Sequence, residues 1–135
     1  MSNRIIKFRA LKDDISNCNF MYGQLVYDAI GTPRITNVDK SGKGLTFHSC
    51  LKGTEGQFTG LTDKNGTEIY EGDIVVCGYG TGKVFFSNGC FVVSWINDIS
   101  SDMELLACNK SGRYFRKGDE MFEIIGNIHS NPELI

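Results

Sequence analysis

The sequence predicts an all-β fold, a small antiparallel barrel or meander with at most one short helix. Three observations carry that reading. Short runs of β-branched and aromatic residues recur along the chain, separated by turn signals. Sixteen glycines stand against two prolines, a balance that suits turns and bulges better than flexible linkers. The clearest stretch, Phe58 to Val76, sets two strand patterns around Asp63-Lys64-Asn65-Gly66 and then launches a more hydrophobic strand from Glu71-Gly72-Asp73. Asn tolerates positive φ and Gly adopts it freely, so Asn-Gly between strand patterns is a strong hairpin signal.

Each element follows in chain order. Ile5 to Ala10 alternates apolar and basic residues as a half-exposed strand does. Phe20 to Tyr27 is a strand in which Gly23 suggests a bulge or bend. Gly31 to Gly44 is polar, with turn signals on both sides of a short strand over Ile35–Val38. The wider section 31–56 reads as either a variable insertion or a long hairpin. After the central hairpin come Asp73 to Cys77, the glycine-rich Gly78 to Lys83, Val84 to Phe86, Ser87-Asn88-Gly89, and the strongest strand, Cys90 to Ile96. Ser100 to Lys110 is the one candidate helix, with Ser101 or Asp102 as cap and a short strand as the alternative. Met121 to Ile128 is a final strand, and Asn131-Pro132 has the form of a helix start.

With 135 residues the chain reads as one domain over 1–135, long enough to bury roughly two thirds of its unfolded surface. Its net charge of −2 opposes binding to nucleic acid through overall charge, since phosphate neutralisation needs an excess of Lys and Arg. Cys18, Cys50, Cys77, Cys90 and Cys108 include no C-x-x-C pair, and only two histidines accompany them. A zinc site is therefore not expected, and the cysteines read as reduced, small apolar side chains. No stretch has the apolar length of a secretory signal or a membrane span, so a cytoplasmic location is expected.

The candidates for chemistry are few. Asp63 and Glu68 flank a loop, but Gly66 and Ile74 fall where a calcium-binding EF-hand needs other spacing and a Glu. Gly78 to Lys83 lacks the spacing of a P-loop or a dinucleotide fingerprint and continues as a strand rather than a helix. Its reading is a hairpin connection. His48 and Cys50 share one side of an extended segment, the best hint of a nucleophile with its base, although a strand-face His beside a buried Cys gives the same pattern. The densest basic group is Lys110, Arg113, Arg116 and Lys117, interleaved with Tyr114 and Phe115. Guanidinium forks suit phosphate and aromatic faces stack bases, so Arg113, Tyr114, Arg116 and Lys117 are the candidate ligand- or partner-binding residues. Asp119, Glu120 and Glu123 follow and weaken that field.

The segment Phe58 to Val75, taken with Glu123 to Ile135, resembles the YopX family of phage and prophage proteins. Ile6-Lys7-Phe8-Arg9-Ala10 is similar to that family's opening. Leu11 departs from a Trp often found there, and His129 and Ser130 replace a common aromatic and acidic pair. The resemblance implies an all-β, barrel-containing protein of phages or prophages, with no established reaction and no catalytic residues to carry over. The motif residues Gly60, Asn65, Gly66, Gly72, Asp73, Gly126, Asn127 and Pro132 read as turns, strand starts and caps. The stretches 31–56 and 97–117 match nothing in the family pattern, so specific partner contacts are expected there.

The expected function is that of a non-enzymatic accessory protein acting by binding, directed at a host defence or regulatory component. The partner would be a host protein or a small signalling nucleotide. The alternative is a nucleic-acid-binding small barrel. No cofactor and no metal are expected, and the strand edges of a meander leave room for a homo-oligomer.

Overall fold

The computed structural model describes residues 5–14, 19–77, 80–96, 103–105 and 122–135. It is all-β: the elements among these residues are strands apart from one short 3-10 turn, Pro132–Leu134. Their contacts fall into two compact units, Met1–Phe58 and Thr59–Ile135.

The first unit contains β1 (Phe8–Leu11), β2 (Phe20–Tyr27), β3 (Pro33–Val38), β4 (Leu45–Ser49) and the beginning of β5 (Gly56–Thr62). The strands run β4-β3-β2-β1-β5, each antiparallel to its neighbour. Ile5 to Lys7, expected to open the first strand, lie outside it. Asp28 makes the β2–β3 turn by accepting the N–H groups of Ile30 and Thr32 at 3.0 and 2.9 Å. This is an Asx turn, the local bonding that makes Asp a turn residue. Gly23, where the sequence suggests a bulge or bend, is the last residue of the β1–β2 ladder, opposite Phe8, and that ladder has no register shift. Gly23 is required instead because a Cβ would meet the Asn37 side chain at 2.5 Å and the Thr36 carbonyl at 2.6 Å. Asn37 uses that approach to donate to the Tyr22 carbonyl at 2.8 Å.

No continuous ladder closes either sheet into a barrel among the described residues. One isolated bridge, Lys12↔Cys50, ties the end of β4 back to the end of β1. Asp13 N–H donates to the Ser49 carbonyl at 3.0 Å and Leu51 N–H to Leu11 at 2.8 Å. The core of this unit, Ala10, Ile35 and Cys50 with Phe8, Met21 and Leu25 beside it, lies on the side chains that this curl gathers.

The second unit continues β5, turns through Asp63–Gly66, and adds β6 (Glu68–Tyr70). It then builds an antiparallel sheet in the order β10-β9-β8-β7-β11, from β7 (Asp73–Cys77), β8 (Gly80–Ser87), β9 (Cys90–Trp95), β10 (Met103–Leu105) and β11 (Glu123–Asn127). Met103–Leu105, inside the candidate helix, is a strand paired with β9. Tertiary pairing overrides a propensity that amounted to one or two turns of weak helix. The glycine-rich run feeds β8, with Cys77 opposite Gly80. Gly82 is buried because a Cβ there would meet Val93 Cγ1 at 2.5 Å and Trp95 at 3.1 Å. Ile69, Val75, Val84, Val93, Trp95 and Phe122 form the core, with Trp95 stacked on Phe122 at 6.2 Å.

Candidate functional site

The residues chosen from sequence for binding, Arg113, Tyr114, Arg116 and Lys117, lie outside the described residues. His48 and Cys50 are placed, and share a face. The Cys50 thiol donates to the backbone carbonyl of His48 at 3.3 Å, and only 2 % of the residue is exposed. Burial pushes the thiol above its ordinary range, with Glu55 and Asp13 adding to it against a backbone bond from Ile35. That setting favours the neutral thiol over the thiolate that attacks. Among the described residues no group of three or more His, Cys, Asp or Glu could hold a metal ion.

The family-like residues of the second unit assemble into one polar latch. Asp63 is 3 % exposed. One carboxylate oxygen accepts the N–H groups of Asn65 and Thr67, both at 2.9 Å. The other accepts Ile124 N–H of β11 at 3.1 Å. Burial works against ionisation, but these donors and the Lys64 charge outweigh it, so the carboxyl is held below its usual range. Lys64 adds its own N–H to Phe122 at 2.8 Å and its ammonium to Glu123 at 2.9 Å. Gly72 accepts Ile128 N–H at 2.8 Å, and Asp73 accepts Tyr70 N–H at the same distance. At the far end Asn127 receives His129 and Ser130 N–H, while Asn131 receives Asn127 N–H. A Cβ on Gly126 would meet Asn131 Oδ1 at 2.5 Å. Asp63, Asp73, Asn127 and Asn131 all hold main-chain N–H groups, so these motif residues are spent on architecture.

The first unit offers the surface. In an antiparallel sheet, directly opposed residues project on the same face. Tyr22, Gln24 and Val26 of β2 therefore share a face with Arg34, Thr36 and Val38 of β3 and with Leu45 and Phe47 of β4. Leu25, Ile35 and Ala10 occupy the opposite, core face. Of the outer set, Tyr22 is 50 %, Val38 64 %, Leu45 60 % and Phe47 53 % exposed. Val38 stands opposite Leu45, and Thr36 opposite Phe47. At the β1 end this face is closed, where Arg9 and Leu11 are buried and the Arg9 guanidinium lies 4.1 Å from the Phe20 ring centroid.

On that face charge stands toward the β2–β3 turn, at Arg34. Arg34 donates to Asp28 at 3.4 Å. The Thr32 N–H is the main influence holding the Asp28 carboxyl low, against desolvation, with Ile30 N–H and Arg34 adding to it. The Tyr27 hydroxyl donates to Glu55 at 2.9 Å, and burial followed by that carboxylate raises it above an ordinary tyrosine. An exposed apolar sheet face with charge at its edge is the pattern of a protein-docking surface. Of this face, Arg34, Thr36, Val38, Leu45 and Phe47 fall within the stretch 31–56 and Tyr22, Gln24 and Val26 outside it, and sequence reasoning singled out none of them. Phe47 and Leu45 alternate with Thr46 and His48, and alternation alone does not say which face a fold covers.

The family described as YopX protein matches residues 7–135. No curated protein matches the chain. Among solved structures the chain is similar to protein EF1440 from Enterococcus faecalis, at 23 % identity over 98 % of this chain and 99 % of that one, with a TM-score of 0.56. At that identity the likeness is one of fold.

Proposed function

The chain belongs to the YopX family, and on that premise we propose that it is a non-enzymatic accessory protein of a phage or prophage that acts in the host cytoplasm by binding a host protein. The observation that carries this reading is the exposed apolar face of Tyr22, Val38, Leu45 and Phe47 on the β2-β3-β4 sheet. A monomeric soluble protein seldom leaves such side chains contiguous without a use for them. The target belongs to a defence or regulatory system, where a small binding domain suffices to block a larger machine. A host protein is favoured over a signalling nucleotide or nucleic acid because the face is apolar, whereas phosphate recognition relies on Arg and Lys.

The test is affinity capture from host cells with wild type and with the pair Tyr22→Ser and Val38→Ser. Both positions are exposed, so the variant is expected to stay folded with its melting temperature within about 5 °C of wild type. Host proteins retained by wild type and lost with the variant are the expected result; an identical retained set overturns the reading. Thermal-shift screening with cyclic and ADP-ribose-type nucleotides supplies the competing outcome, because a ligand at about 100 times its Kd adds roughly 2.7 kcal/mol. A salt-dependent gel shift weakened by Arg113→Ala and Arg116→Ala would favour nucleic acid instead.

A further inference from the structure

Among the described residues the outer backbone edge of β4 has no neighbouring strand along Leu45–Phe47, and its geometry is self-complementary. Cys50 N–H donates to Pro33 and Asp39 N–H to Gly44, so positions 44 and 50 direct their main-chain groups at β3. Alternation along a strand then turns the N–H and C=O groups of Leu45, Phe47 and Ser49 to the other side. The Ser49 carbonyl is taken by Asp13 N–H. Leu45 and Phe47 remain, and both side chains are exposed. The strand reads Leu45-Thr46-Phe47-His48-Ser49. It contains no Lys, Asp, Glu or Pro, the residues with which edges are usually blocked.

We propose that this edge pairs antiparallel with the same edge of a second copy, with Thr46 on the two-fold axis. Leu45 of one copy then stands opposite Phe47 of the other. In each copy the outward N–H and C=O groups of both residues find partners. Centring on Phe47 instead would place Leu45 opposite Ser49, whose carbonyl is already engaged. The symmetric pairing also continues the apolar face from one copy into the next, since Leu45 and Phe47 lie on it beside Val38.

The area sets the strength. The exposed parts of Leu45 and Phe47 come to on the order of 200 Å² per copy, well below the ~800 Å² per partner of a standard stable interface. The dimer therefore dissociates in the micromolar range. Leu45 and Phe47 also belong to the face proposed for host-protein docking, so docking is read with Tyr22 and Val38 and the pairing with Leu45 and Phe47.

Sedimentation velocity at about 100 µM, far above a micromolar Kd, is the first test, and a dimer is expected for wild type. Leu45→Lys combined with Phe47→Lys sets like charges opposite each other across the axis and yields monomer. Leu45→Lys combined with Phe47→Glu sets unlike charges opposite each other and restores the dimer. A residue pair at this kind of position has Cα atoms about 4.5 Å apart, within disulfide reach. Thr46→Cys should therefore cross-link under mild oxidation faster than Ser41→Cys in the adjoining turn, with wild type correcting for the native cysteines. Wild type that sediments as a monomer overturns the proposal. So does equal assembly by the two charge variants, or equal cross-linking at positions 46 and 41.

Discussion

The two units spend their side chains differently. In the second, Asp63, Asp73, Asn127 and Asn131 are turned onto main-chain N–H groups, and the strands around them share a core of Val75, Val84, Val93 and Trp95. In the first, the buried core cluster among the described residues is Ala10, Ile35 and Cys50, while large apolar residues stand exposed on the outer face. The residues that mark the family are concentrated where the chain is tied to itself. The exposed apolar residues of the outer face lie outside the stretches Phe58–Val75 and Glu123–Ile135, although the family match itself spans residues 7–135. A sequence signature here reports what the scaffold needs rather than what the protein touches.

The largest effect that would break this contrast is expected at Asp63. Asp63→Ala leaves the donors from Asn65, Thr67 and Ile124 without their acceptor and should cost about 3 kcal/mol, read as a fall in the denaturation midpoint at unchanged m. The carboxyl is depressed in the folded state, so its contribution is full above the unfolded value near ~3.9 and is lost as pH falls through the lower folded value. The stability gap between wild type and Asp63→Asn should accordingly narrow below about pH 4. A pH-independent gap would show that the site is held by shape alone.

A smaller effect is expected at Gly82. Gly82→Ala drives a methyl into Val93 and Trp95, costing roughly 1–3 kcal/mol as overpacking does. A neutral result in chemical denaturation would show that this core is looser than its contacts imply.

The smallest effect separates two identical dipeptides. Asn88 has φ 51° and Gly89 φ 82° between β8 and β9, the type I′ turn of a two-residue hairpin. Only Gly66 of Asn65-Gly66 has positive φ, and Gly66 N–H donates to the Asp63 carbonyl at 3.0 Å. Asn88→Ala should cost about 1 kcal/mol, whereas Asn65→Ala should be nearly neutral. Equal costs in a thermal melt would mean that the Asp63 side chain is not what selects the second turn.

Those turns also show how much was legible beforehand. Both Asn-Gly sites were readable as hairpins, because the dipeptide's conformational freedom is local. Which turn each adopts was not, because the Asp63 carboxylate that captures Asn65 and Thr67 also depends on Ile124, 61 residues away. β2 and β9 were legible from β-branched and aromatic runs, whereas Met103–Leu105 was open between helix and strand until β9 supplied a ladder. Gly23 and Gly82 were visible as glycines, but their reasons, Asn37 and Val93, come from neighbouring strands.

The sequence by itself determined the all-β class, most of the strands and the family, since alternation, turn chemistry and motif order are properties of neighbouring residues. Tertiary structure alone decided that the Asp63 turn is latched to β11 and that Cys50 is a buried thiol bonded to main chain. It also decided that Leu45 and Phe47 face outward, on a strand with one neighbour among the described strands. Those facts depend on which strand lies beside which, and pairing between distant segments is set by the packing of the folded chain rather than by any local pattern.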